Sequence, residues 1–168
     1  MFKEISVNKI QENPFHLIGK QWMLITAGVK ANFNTMTAAW GSFGFLWNVP
    51  ITQVYVRPQR HTYEFMESNE YYTLSFFEKP FKNILTYCGS HSGKNYDKIK
   101  ETGLIPLETN LGNIYFDQAR LVIECKKIYF DDINPDHFVD RLIQRNYPNK
   151  DYHRMYTGKV MGCYMKEI

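Results

Sequence analysis

Residues 22–41, WMLITAGVKANFNTMTAAWG, decide the class of fold. They hold two runs, Trp22–Val29 and Asn34–Gly41, that are short, rich in β-branched and aromatic residues and bounded by Gly, Pro or Asn, the pattern of strands. Working outward, Ile51–Arg57, Tyr71–Phe77, Asn113–Ile128 and Met155–Met165 have the same character. Asn113–Ile128 exceeds a typical strand and reads as two pieces with a bend. Helical signals are fewer. Thr62 opens the short run YEFMES as an N-cap type residue, with Glu64 in the first turn. Lys79–Cys88 carries Pro80 near its start, apolar residues at helical spacing (Phe81, Ile84, Leu85, Cys88) and Gly89 at its end. Asn134 caps a third helix, PDHFVDRLIQRN, that Pro148 stops. The strand pattern predicts a mainly β fold, a closed barrel of roughly six antiparallel strands with short helices laid outside it. Parallel βαβ winding is disfavoured, because no long helix alternates with each strand.

The chain has 168 residues, 44% hydrophobic and 22% charged, enough for one domain over residues 1–168. A domain this size buries roughly 70% of its unfolded surface without staples. Twenty Lys+Arg against 17 Asp+Glu give a net charge of +3, too little for a committed nucleic-acid binder, so any anionic partner is expected to be small. Cys88, Cys125 and Cys163 are isolated and lack CxxC spacing, as expected of thiols in a reduced compartment. No run of signal-peptide or membrane-spanning length occurs, and the expectation is a soluble, cytoplasmic protein without membrane or nucleic-acid partners. Twelve Phe, 12 Tyr and 3 Trp make 16% aromatic, either a heavy core or stacking surface for a planar ligand.

Three constellations could carry chemistry. In NTMTAAWGSFG (34–44), Asn34, Met36, Ala38 and Trp40 share one strand face and Thr35, Thr37 and Ala39 the other. Small side chains beside a large aromatic let a ligand approach the backbone, while the hydroxyls and amide can bond a heteroaromatic rim. A Thr-rich edge strand of ordinary propensity is the other reading. In VRPQRHT (56–62), Arg57, Arg60 and His61 precede a hydroxyl at a helix start, where free N–H groups and the helix dipole favour an anion. Arg suits bidentate phosphate contact, although a solvated basic turn has the same composition. In CGSHSGK (88–94), Ser90, Ser92, Gly93 and Lys94 have the make-up of an anion nest but lack the nucleotide P-loop pattern.

Other chemistries find no support. The five histidines show no HExxH or i, i+4 pairing, so no metal site is expected, and neither GxSxG nor GxGxxG occurs. His153 stands alone in DYHRMY and reads as a structural histidine bonded to nearby backbone.

In this order, NTMTAAWGSFGFLW, VRPQRHTYEF, CGSHSGKNYDKIKETGL and DYHRMYTGKV resemble the flavin reductase-like, FMN-binding split β-barrel family, in its flavoredoxin-type branch, from about Phe15 onward. The resemblance implies a homodimer with FMN near the subunit interface. It implies ring contacts from Asn34, Thr35, Met36, Thr37 and Trp40, and phosphate or ribityl contacts from Arg57, Arg60, His61 and Thr62. The resemblance further implies a contact region made of Ser90, Ser92, Gly93 and Lys94. Relatives often carry Arg at the Lys94 position and an acidic residue at the Lys159 position; the first change loses a planar fork and the second inverts a charge. The implied activity is NAD(P)H-dependent flavin reduction with electrons passed to a small-molecule or protein acceptor. A flavoredoxin-like FMN carrier reduced by a redox protein is the alternative. No side chain need act as acid, base or nucleophile, because the cofactor carries the chemistry.

Overall fold

The computed structural model describes Met1–Glu167; Ile168, the last residue of the expected domain, lies outside the described residues. β1 (Phe2–Ile5) leads to α1 (Pro14–His16), which runs on as a π-helical turn over Leu17–Gln21. Then come β2 (Met23–Val29), β3 (Asn32–Ala38), β4 (Gly41–Leu46), β5 (Val49–Val56), α2 (His61–Ser68) and β6 (Tyr71–Phe76). α3 (Lys82–Ser90), α4 (Lys98–Thr102), β7 (Pro106–Glu108), β8 (Ile114–Phe116), β9 (Leu121–Asp132) and β10 (Arg154–Lys166) complete the chain.

The fold is mainly β. One antiparallel sheet runs β3-β2-β6-β9-β10-β5-β4, with β1 also on β10, and β7-β8 form a separate pair. The 13-residue β10 holds it together: residues 154–159 pair with β5, residues 163–166 with β1, and its whole length with β9. Register shifts at Thr157/Gly158 and Val160/Gly162 bend it between these neighbours. At Gly158 the bend brings the barrel floor so close that a Cβ would meet Tyr72 Cζ at 2.8 Å and Cys125 Cβ at 2.9 Å.

Period-two alternation sorts the side chains. On β2, Met23, Ile25 and Ala27 join Met36, Val54, Leu74, Ile123 and Tyr156 inside the sheet's curve, while Leu24 turns outward. Outside, Leu24 and Val122 pack with Leu85 and Cys88 of α3 and with Ile114 and Phe116. Full burial of such side chains contributes about 1.5–3 kcal/mol each, which fixes α3 against the sheet beside β3.

The six strand segments read from the sequence are present, with Asn113–Ile128 divided between β8 and β9 as expected. β1, β4 and β7 were not legible. β4 escapes because its hairpin turns on Trp47-Asn48, both at positive φ (51° and 59°), without the glycine that marks such turns. Among the described residues the barrel is also not closed by hydrogen bonds: β3 and β4, the ends of the ladder, do not pair with each other, because only Ala39 and Trp40 join them and β4 turns away onto β5. Two local expectations fail. Residues 135–146 form no single helix but two 3-10 turns, Pro135–His137 and Arg141–Asn146. Asp140 accepts the Leu142 N–H and restarts the chain, and the apolar face of Leu142 and Ile143 is exposed, so no packing supports a longer helix. Thr62 is not the cap of α2; Arg60 is, and Thr62 lies one residue inside the helix.

Candidate functional site

Three cavities merge into one groove along β3. A wide one, about 420 Å³, is bordered by Met36, Thr37, Ala38, Ala39, Trp40, Tyr55, Arg57, Gln59, Arg60 and His153. A narrow one of about 140 Å³ shares Met36, Gln59 and Arg60 with it and adds Asn34, His61, Thr62, His91, Ser92, Gly93 and Lys98. The third, about 430 Å³, continues past Asn34, Gly93 and Lys98 to Phe33, Thr35, Lys94 and Tyr96.

The narrow middle gathers positive charge and free hydrogen-bond donors. It opens at the start of α2, where the His61 and Thr62 N–H groups have no acceptor among the described residues; only the Arg60 and Tyr63 N–H groups are taken, by Arg57 and Arg60 carbonyls. Two cations converge there. Arg60 Nη2 donates to the Gly89 carbonyl at 2.7 Å, and Lys98 Nζ to the Thr35 and Cys88 carbonyls at 2.7 and 2.9 Å. Lys98 is 6% exposed. Among the described residues neither cation has a carboxylate within ion-pairing distance. Burial therefore lowers Lys98 to about 8, against an upward effect from Cys88 and with a smaller downward one from Arg60. Burial, then Arg57, likewise lowers Arg60.

Asn34 forms the other wall. Its Nδ2 donates to Thr62 Oγ1 at 2.9 Å, tying β3 to α2. Gly93 lies so close that a Cβ would stand 2.9 Å from Asn34 Cγ, so only glycine leaves this amide in place.

The wide cavity has an aromatic wall. His153 packs 4.9 Å from Trp40 and edge-on to Tyr55 (6.5 Å) and Tyr147 (5.5 Å). Trp40 is 44% exposed at the mouth. The floor is β3 itself, whose outer edge has no strand beside it among the described residues. Since the Thr35 carbonyl meets Lys98 on that edge, alternation puts the Thr37 N–H and C=O on the same free edge.

The structure thus brings Asn34, Met36, Thr37, Trp40, Arg57, Arg60, His61, Thr62, Ser92 and Gly93 onto the two connected cavities. Others are turned to structural tasks. The Thr35 hydroxyl bonds Thr26 Oγ1 (2.9 Å) and the Ile25 carbonyl beneath the sheet. The Thr37 hydroxyl is donated to the Leu85 carbonyl. Arg57 pairs with Asp151, holding that carboxyl below its usual range, and donates to the Asn146 carbonyl at 2.8 Å. Ser90 closes the end of α3 through the Thr86 carbonyl (2.9 Å) and borders neither the wide nor the narrow cavity. Lys94 pairs with Glu64 at 2.6 Å on the surface and borders only the third. His61 Nδ1 lies 3.3 Å from a Glu64 oxygen without hydrogen-bond alignment. His153 bonds the Tyr147 hydroxyl, where backbone was expected.

Sequence reasoning missed Lys98, Gln59, Tyr55 and a site role for His153. Lys98 is four residues beyond the Ser-Gly-Lys loop and looks like any surface lysine of a short helix. Only its burial, set by α4 folding back onto β3, distinguishes it.

The model of the flavin reductase like domain matches residues 15–167, and the chain belongs to this family. Among curated proteins none matches. The solved structures it is similar to include an FMN-binding protein from Thermus thermophilus with bound p-hydroxybenzaldehyde, at 18% identity and TM-score 0.71, covering 98% of this chain and 82% of that one. Flavoredoxin of Desulfovibrio vulgaris (Miyazaki F) follows at 21% identity and TM-score 0.69, covering 98% and 78%. An NADH:FAD oxidoreductase of Streptomyces globisporus C-1027 has 14% identity and TM-score 0.67, covering 87% and 75%. At these identities the likeness is one of fold.

The buried ammonium makes a pH prediction. The folded pKa of Lys98 (about 8) lies below its ordinary 10.5, so from about pH 8 to 10.5 the unfolded chain binds the extra proton and stability rises with pH; below 8 the penalty is complete. Urea melts of the wild type and Lys98→Met should differ by a constant amount below pH 8 and shift in favour of the wild type above it. A difference that stays constant to pH 10 contradicts a buried, unpaired Lys98.

Proposed function

We propose that the groove binds FMN and that the protein is an NAD(P)H-dependent flavin oxidoreductase passing reducing equivalents to a second acceptor. The observation that carries this is the pair of cations, half-buried Arg60 and buried Lys98, without a carboxylate at the open start of α2. A dianionic phosphate is the group such a site lacks: the helix start supplies free N–H donors, and each cation would gain a charge-assisted hydrogen bond. Asn34, Thr62, Ser92 and Gly93 would border the phosphate and ribityl chain. Met36, Thr37, Ala38, Ala39 and Trp40 would border the ring. The free N–H and C=O of Thr37 suit the donor and acceptor edge of a heteroaromatic.

Bound flavin would supply the hydride-accepting centre. The chain's own contribution is orientation. Arg60 and Lys98 fix the charged end, Asn34 and Gly93 set the width of the passage, and the Trp40–His153 wall limits where a second planar molecule can lie. Arg57, paired with Asp151, steadies that wall and is at most an indirect phosphate contact. The family membership, the FMN-binding structural neighbour and the NADH:FAD oxidoreductase neighbour support the reading.

The proposal includes a homodimer and a cytoplasmic setting. Exposed Phe45, Leu46 and Trp47 continue into exposed Tyr129 and Phe130, with Trp47 5.9 Å from Tyr129, an apolar band of the kind that marks a contact surface. Three free, buried cysteines suit a reducing compartment, and no described helix could cross a membrane. Sedimentation equilibrium at the monomer mass would contradict the dimer, and fractionation outside the cytoplasm the setting.

The direct test is spectroscopic. Protein loaded with FMN should show a flavin band that bleaches on anaerobic addition of NADH or NADPH. A band untouched by both nucleotides but bleached by a reduced ferredoxin-type protein rejects the nucleotide-dependent reading in favour of a carrier. Arg60→Ala should weaken FMN binding by about 1.5–3 kcal/mol, the range for a hydrogen bond to a charged group; unchanged affinity makes Arg60 a mere surface cation.

A further inference from the structure

His153 is 8% exposed and borders the wide cavity, yet only one of its ring nitrogens is accounted for. Nδ1 lies 2.9 Å from the Tyr147 hydroxyl. Nε2 has no hydrogen-bond partner among the described residues, and it is the nitrogen left to the cavity. Tyr147 is itself 2% exposed, and its hydroxyl has no other partner among the described residues. That asymmetry decides which atom holds the proton. If Nδ1–H donated to the tyrosine oxygen, the phenolic O–H would be buried without an acceptor, the costly outcome; if the phenol donates, only spare lone pairs go unused. The phenol therefore donates, Nδ1 accepts, and a neutral ring must carry its proton on Nε2. The ring is neutral at pH 7, because burial, helped by Arg57 and Arg60 against Asp151, lowers it to about 4.

We propose that Tyr147 is a positioning residue that holds His153 as the Nε2–H tautomer, so that the cavity presents one neutral imidazole N–H to the carbonyl oxygen of a small planar partner. The proposal rests on the reading of the groove as a flavin site shared with a second planar molecule, and it adds what recognises that molecule. A neutral donor suits a carbonyl or carboxamide oxygen; it offers a carboxylate or phosphate no charge. Trp40 and Tyr55 flank the same ring and supply the flat surfaces. Tyr147 belongs to the connection between β9 and β10 and comes within reach because Arg57 stands 5.1 Å over its ring and donates to the neighbouring Asn146 carbonyl.

The test is the side-chain nitrogen spectrum of ¹⁵N-histidine-labelled protein saturated with FMN, with the His153 signals assigned from their loss in His153→Gln. The wild type should show a pyrrole-type Nε2 and a pyridine-type Nδ1 from pH 8 down to about 5, and nicotinamide, the probe, should shift the Nε2–H resonance. In Tyr147→Phe, which keeps the ring packing, the two tautomers should mix and nicotinamide should bind about two- to ten-fold more weakly, the range for one hydrogen bond. An Nδ1–H tautomer, a charged ring at pH 7, or an Nε2–H resonance that nicotinamide leaves unmoved overturns the proposal. Should FMN fail to bind, the flavin reading falls, while the tautomer and its response to nicotinamide are still decided in the flavin-free chain, where an unmoved Nε2–H overturns this proposal too.

Discussion

The free edge of β3 is the constraint on which the site depends. A strand that ends a ladder leaves alternate N–H and C=O groups unpaired, and where such an edge is covered, something else must meet them. Here α3 and α4 fold back over it: Leu85 takes the Thr37 hydroxyl, and Lys98 reaches the Thr35 carbonyl from α4. The same seam that splits the barrel thus becomes a groove with a polar floor. Its width is set by the close approach of Gly93 to Asn34, and its direction by the Asn34–Thr62 bond that ties β3 to the start of α2.

Electrostatics follow from that packing. Satisfying a carbonyl with a lysine brings an ammonium out of water, and a buried charge is expensive unless paired. The ligand-free protein carries that cost at Lys98, with Arg60 close enough to worsen it. On the proposed reading, an arriving dianion would turn the same arrangement favourable, because repulsion between two cations would become attraction to a shared partner. The aromatic end works differently. Trp40, Tyr55 and His153 form a wall without net charge at pH 7, so on the proposed reading the groove would have a charged end to anchor a phosphate and an aromatic end to select planar molecules by shape and hydrogen bonding.

Legibility in the sequence tracked how local each determinant is. Strands such as Trp22–Val29 announce themselves by composition, and the 135–146 segment misled because good capping residues do not make a helix without a surface to pack on. Asn34, Arg60 and Thr62 were found because small polar residues on an underfilled strand and cations before a helix are unusual locally. Lys98 and the His153–Tyr147 pair were not, because their meaning arises from burial and from neighbours far along the chain. Arg57 shows the converse: its residue type fitted an anion, but Asp151, which only the fold brings near, had already claimed it.

FMN and riboflavin differ by the phosphate alone, so their relative affinity isolates the central claim. Calorimetric titration of the flavin-free protein at pH 7 should find FMN tighter by about 100-fold or more, the worth of two charge-assisted hydrogen bonds at the low end of their range. Equal affinity for the two would mean that Arg60, Lys98 and the start of α2 do not hold the phosphate, and the account of the groove would be wrong.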